Sequence, residues 1–277
     1  MTSGAAASLA GGRTAAARLP APLRKAARLL IALAATAVVW EGAVQLFGIR
    51  PVYLPRLSAI LMSIASTPQA YIDGLLRTSA ETLTGFVAGG AFGVITGIAF
   101  FRLRALKDMV FPIFVVSQTI PVIAFGALVV LWFGNTLLAK AVIAFYLTFF
   151  PVTVNVLRGL QTIDPDALAL MRAVAAPPRQ VFLKLRIPAA APYLFTALRI
   201  SATASVVGAI IGELPVGSRF GMGVVIINAA QYYNWRPANL WAAILVSSLL
   251  GIGFYHTVAA VERVSLRGRP AAQAYGS

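Results

Sequence analysis

Residues 164–192 read DPDALALMRAVAAPPRQVFLKLRIPAAAP, a polar and basic stretch in a chain otherwise dominated by apolar runs. Asp164, Pro165 and Asp166 form a helix start: an oxygen-bearing cap, a proline at the first helical position, and an acid near the positive end of the helix dipole. The spacing predicts a short helix over 165–176, with Leu168, Met171 and Ala175 on one stripe and Arg172 beside it. Pro177 and Pro178 stop that helix. A second short segment over 179–187, carrying Val181, Phe182 and Leu185 among Arg179, Lys184 and Arg186, is expected to end at Pro188. Two short amphipathic helices joined by a break make a surface that a partner can grip.

The surrounding composition sets the class. Of the 277 residues 59% are hydrophobic and 11% charged, and the mean hydropathy is +0.84; both lie far from the averages of soluble proteins. The expected fold is all-α, a polytopic bundle of about six membrane-spanning helices. The chain has no cysteine and one histidine, His256. That excludes disulfides and thiolate chemistry, and it leaves too few ligands for a histidine metal cluster.

In chain order, residues 1–28 are rich in Ala, Gly and Arg and are expected to form a disordered tail ending in Arg24, Lys25 and Arg28. The apolar run 29–48 is the first expected span. A secretory signal is the rival reading, but the run is long for a signal core and further spans follow. Residues 58–74 are too polar and short to cross and read as an interfacial helix, whereas 78–101, 109–133, 137–157, 193–214 and 238–261 read as spans. The membrane domain expected from this pattern covers 29–263, with the polar loop at 158–192 and a second tail at 264–277.

The net charge of +15 invites a nucleic-acid reading. The distribution of the 23 basic residues argues for membrane topology instead: Arg50, Arg56, Arg77, Lys140, Arg219 and Arg236 fall on one side, Arg199 inside a span, and the remaining sixteen on the side of the termini and the loop. By the positive-inside rule that richer side is cytoplasmic. No nucleic-acid partner is expected; membrane lipid is.

Within the spans, Gly85, Gly89, Gly93 and Gly97 recur every four residues, the signature of a close helix contact. Pro121 and Pro151 fall inside spans, where each frees a backbone carbonyl and can kink its helix. Gln118 and Thr119, just before Pro121, are candidates to line a polar route. Ionisable residues in spans are functional candidates by default. Arg77 and Glu81 are four apart and read as a local ion pair. Glu41 either snorkels or pairs with Arg50. Glu213, beside Pro215 and a glycine-rich turn, reads as a residue of the path or its outer gate, with pairing to Arg219 as the structural alternative.

The loop resembles the cytoplasmic loop of ABC importer permeases, whose pattern is a Glu-Ala-Ala start, a Gly six residues on, and an Ile-x-Leu-Pro end thirteen residues later. Pro188 aligns with the closing proline, and Ile187 and Leu185 with the preceding apolar positions; Ala175 falls at the glycine and Ala169 at the glutamate. Asp166, one turn earlier, is the candidate replacement for that acid. The flanks IDPDAL, PRQVFLKLRIPAAAPYLFTALRI, IPVIAFGALVVLWFG from Ile120, and GELPVGSRFGMG from Gly212 are similar to the nitrate, sulfonate, taurine and pyrimidine-precursor branch. The resemblance implies a type I permease fold in a bacterial inner membrane, and a non-catalytic subunit with no cofactor or metal of its own. It also implies two ATPase subunits that bind ATP and Mg, a second permease copy, and an extracytoplasmic binding protein. Docking through Asp164, Asp166, Leu168, Met171, Arg172, Ala175 and Pro188 is the corresponding expectation. The sequence carries no G-x-x-x-x-G-K-[ST] phosphate loop, so an ATPase has to be a separate chain. A self-powered transporter or channel is the alternative, but no internal repeat or mid-membrane cluster of acids supports it.

Overall fold

A computed structural model describes residues 21–215 and 218–266; of the tail expected over 1–28, residues 1–20 lie outside the described residues and 21–28 are helical, and most of the tail over 264–277 also lies outside them. All regular structure among the described residues is helical. Residue contacts divide the chain into two units, 1–58 and 59–277.

The first unit holds α1 (Ala21–Leu46), which starts ahead of the expected span and continues the helix through the basic group near residue 25. The window Ala27–Leu46 is long and apolar enough to cross a membrane, and almost none of it is buried by protein. Glu41 does not pair with Arg50. Its carboxylate accepts from Ser58 Oγ at 2.7 Å, Ser58 N–H at 3.3 Å and Gln45 Nε2 at 3.2 Å.

In the second unit, the expected interfacial helix over 58–74 is two elements. α2 (Leu57–Ser66) ends where Thr67 leaves helical geometry, and Pro68, at a first-turn position that needs no N–H, starts α3 (Pro68–Arg102). The glycine ridge of α3 lies on α6 (Leu137–Gln161). A Cβ on Gly89 would stand 2.8 Å from the Phe145 carbonyl oxygen, and one on Gly93 2.7 Å from that of Phe149. The two backbones are therefore in direct contact, as the four-residue spacing predicts. α9 (Ile187–Glu213) also packs on α6, with Gly208 against Ala144 and Gly159 of α6 against Ala190, and it touches α3 as well. Val152, Val156, Leu160, Phe182, Ala190 and Ala197 form the core at the end nearer the polar loop. α11 (Pro237–Ser265) completes the long helices by packing on α9.

Two expected elements differ. The span over 109–133 is not one helix: α4 (Arg104–Ser117) and α5 (Val122–Phe133) meet at 98°. Pro121 has ψ 119° and caps α5 rather than kinking a continuous helix. Five helices are long and apolar enough to span, six if this bent pair counts as one. Pro151, by contrast, sits inside an unbroken α6, where Asn155 Nδ2 donates to its carbonyl at 2.8 Å. The stretch over 215–237 contains a helix that the pattern reading passed over, α10 (Met222–Gln231).

Candidate functional site

The polar loop folds as its capping signals dictate, up to its second half. α7 (Pro165–Ala173) begins with the Asp164 side chain accepting the Asp166 N–H at 3.0 Å. It ends in a left-handed turn: Ala175, φ 49°, is the one non-glycine residue with positive φ among those described. The Ala176 N–H bonds the Met171 carbonyl at 3.0 Å and the Ala175 N–H bonds that of Arg172 at 2.9 Å, the paired bonds of a Schellman cap. Ala175 thus has the conformation usually left to glycine, at the position that falls on the glycine of the loop pattern it resembles.

The second half is not a separate helix closed by Pro188. α8 (Pro178–Gln180) runs into a π turn, Val181–Arg186, and on into α9 without interruption. In an α-helix the Pro188 ring would clash with the carbonyl four residues back. The wider π turn, in which the Ile187 N–H bonds Phe182 O, relieves that conflict and lets the span reach into the loop.

The stripe also shifts. Leu168 and Met171 are half-buried toward the protein, and Ala175 lies past the helix end. The apolar side chains that face outward are Leu170 and Val174, 67% and 66% exposed. Beneath them the loop is tied to the bundle by stacked rings and guanidinium groups: Arg102 lies 4.1 Å over the Phe182 ring, Arg186 4.8 Å over Phe101, and the two rings stack at 6.0 Å. Arg186 Nη1 also donates to Leu160 O at 2.8 Å.

Along the bundle, Gln118 and Thr119 sit in the break between α4 and α5, the first half-buried and the second exposed. The break is held by side chains. Thr119 Oγ1 donates to Val116 O at 2.7 Å, and the Tyr146 hydroxyl of α6 donates to Ser117 O.

At the end opposite the loop, Glu213 is not the hydrated, mobile carboxylate that its place beside a proline and glycine turn suggests. It is fully buried. It accepts Thr78 Oγ1 of α3 at 2.6 Å and the Gly223 N–H of α10 at 2.6 Å, while Thr78 accepts the Met222 N–H at 2.8 Å. Gly221, φ 129°, leaves no room for a side chain between its backbone and this carboxylate. Among the described residues Glu213 makes no ion pair with Arg219, whereas the expected Arg77–Glu81 pair forms at 2.9 Å. No group of histidine, cysteine and acidic residues among those described could hold a metal ion.

The family described as "Binding-protein-dependent transport system inner membrane component" matches residues 89–264. The chain belongs to this family. The permease is 30% identical over 233 residues to a formylaminopyrimidine transport permease of Halalkalibacterium halodurans, covering 84% of this chain and 92% of that one. It is 26% identical to the taurine transport system permease of Escherichia coli, over 76% of this chain and 79% of that one. It is 28% identical to a nitrate import permease of Leptolyngbya laminosa, over 64% and 61%. The permease is thus a multi-pass inner-membrane subunit of an ABC importer for small substrates. Sequence reasoning found its loop, its glycine ridge and Arg77–Glu81; it missed the partners of Glu213, because Thr78 lies 135 residues away and no local pattern announces it.

Proposed function

We propose that the loop over 164–192 docks a separate cytoplasmic ATPase. Two copies of the permease then enclose a path for a small organic nutrient or anion that an external binding protein delivers. The observation that carries this reading is the outward pair Leu170 and Val174, on and just past a helix capped at both ends that packs on the π turn, which the Arg102, Phe182, Phe101 and Arg186 stack fastens to α3 and the Arg186–Leu160 bond to α6. Two apolar side chains held out from a polar loop are suited to an apolar groove on a partner. Burying each would stabilise the contact by about 1.5–3 kcal/mol before ordering costs. The clamp supports rigid transmission, since movement of α7 drags the ends of α3 and α6. In this reading the loop end is cytoplasmic and the Glu213 end external. Gln118, Thr119 and Pro121 border the path at a break whose free carbonyls need water or protein. Glu213 governs the outer gate by fastening the turn that leads into α10.

The test is Leu170→Glu with Val174→Glu, against Gln180→Glu as a charge placed on the same loop off that pair. The double variant is expected to insert normally but to lose copurification of the ATPase and ATP-driven uptake, while Gln180→Glu is nearly silent. Parental copurification and uptake in the double variant would overturn the docking assignment and favour a self-powered transporter. In the same preparation Glu213→Gln, which leaves the Gly223 N–H facing an amide donor in one orientation, is expected to alter basal ATPase activity. Rates equal to the parent would make Glu213 a purely structural fastener.

A further inference from the structure

Where α3 and α6 end, next to the base of the polar loop, lies a cavity of about 360 Å³ to which the docking reading gives no role. Its polar lining is Arg104, Lys107, Asp108, Gln161 and Arg186, and its apolar lining is Phe100 and Phe101. The polar groups come from three elements: Arg104, Lys107 and Asp108 from the start of α4, Gln161 from the last position of α6, and Arg186 from the end of the π turn.

Three cations here face one carboxylate. Asp108 offsets part of that charge without direct contact, since the ion pairs among the described residues are Arg77–Glu81 and Arg199–Glu262. Arg186 is held in place: its Cζ lies 4.8 Å over the Phe101 ring and its Nη1 donates to Leu160 O at 2.8 Å. A guanidinium has five N–H donors, so others remain for a ligand. The start of α4 adds to the same imbalance. It follows the break at Leu103 with no side-chain cap and no acid in its first turn. Arg104 and Lys107 stand in that turn instead, at the end of a helix that is itself positive. Cations gathered at an uncapped helix start repel one another, and an anion in the cavity relieves the repulsion.

The surroundings select the kind of anion. The cavity opens where two membrane-spanning helices stop, and apolar side chains adjoin its basic ones along the chain: Leu103 beside Arg104, Leu106 beside Lys107, and Ile187 beside Arg186, all exposed. A soluble ion has no use for that apolar surround, whereas a lipid has acyl chains to lay on it. We propose that the cavity holds the phosphate of an anionic phospholipid headgroup, a component of the bilayer and not a transported solute. Basic pockets between helix ends at a membrane surface suit such headgroups. Arg104 and Arg186 offer planar forks to the phosphate oxygens, Lys107 a point charge, and Gln161 an amide for a headgroup hydroxyl. Because the donors belong to α4, α6 and the π turn, a bound lipid also braces the base of the loop.

The site is tested on the full-length permease in neutral detergent, so that the outcome is independent of whether an ATPase docks. Dioleoylphosphatidylglycerol, dioleoylphosphatidylcholine and inorganic phosphate are the separate probes. Native mass spectrometry is expected to show phosphatidylglycerol retained in preference to phosphatidylcholine, with inorganic phosphate at equal concentration unable to displace it. Arg104→Gln with Lys107→Gln is expected to leave thermal unfolding intact and to weaken retention by at least about tenfold. Asp108→Asn removes the opposing charge and is expected to strengthen it, whereas Arg179→Gln, a basic residue of the same loop outside the cavity, leaves it unchanged. Equal retention of the two lipids, or undiminished phosphatidylglycerol on the folded double variant, would overturn the proposal. Should the double variant not fold, an Asp108→Asn protein that holds the lipid no more tightly than the parent overturns it as well. Displacement by inorganic phosphate would reject the lipid and make the cavity a site for a soluble phosphate.

Discussion

Ala175 holds a left-handed backbone, φ 49°, in a turn whose two cap bonds require it. That conformation costs an L-residue about 1–2 kcal/mol, against about 0.4–1 kcal/mol by which a glycine would favour the unfolded chain. The difference favours glycine, so Ala175→Gly is expected to stabilise the protein by up to about 1 kcal/mol, and Ala175→Val to destabilise it by a similar amount. Thermal unfolding in detergent checks both signs; a stabilising valine would refute the strain. The turn was legible as a break because Pro177 and Pro178 follow it. The strain was not, since only alignment of Ala175 with a family glycine hinted at it. The outer face was not legible in phase: Leu168 and Met171 fit a stripe as well as Leu170 and Val174 do, and the packing of α7 on the π turn leaves the second pair the more exposed.

Among the elements, the glycine ridge was the most legible, because a four-residue repeat of residues without side chains has one simple use in a membrane helix. It makes a sharp comparison. On Gly93 a Cβ would lie 2.7 Å from Phe149 O and 2.8 Å from Val152 Cβ, whereas on Gly251 of α11 it would meet nothing within 4 Å. Gly93→Ala is expected to cost about 1–3 kcal/mol through overpacking. Gly251→Ala is expected to be neutral or slightly stabilising through helix propensity. Equal unfolding temperatures for the two would show that α3 and α6 do not meet as closely as described. The broken span was half legible: Pro121 marked the place, but a proline that bends a helix and one that starts a new helix look the same in sequence. Pro188 erred the other way. A proline reads as an end, and nothing in VFLKLRIP announces a π turn that carries the helix through it.

For the whole molecule, sidedness is an expectation that rests on the asymmetry of basic residues. A chain without cysteine is well suited to the check, since each introduced thiol reports by itself. Cysteines at Gly134 and Ser218 are expected to react with an impermeant reagent from outside, and cysteines at Arg104 and Arg179 only after the membrane is opened. Protection of the Ser218 position alongside a reactive Gly134 position would break the assignment.

The contact between α3 and α6 has a mechanical meaning. Helices that slide past one another do so through a layer of side chains that can change rotamer. Where Gly89 and Gly93 bring backbone against backbone, that lubricating layer is missing, and any shear would drive Phe145 and Phe149 carbonyl oxygens into the facing chain. The pair is therefore a strut of fixed length and twist. On the proposed transport reading, alternation between open and closed states would pivot around it, at the α4–α5 break and at the turn that Glu213 fastens, and spin labels across the strut are expected to keep one distance throughout the cycle.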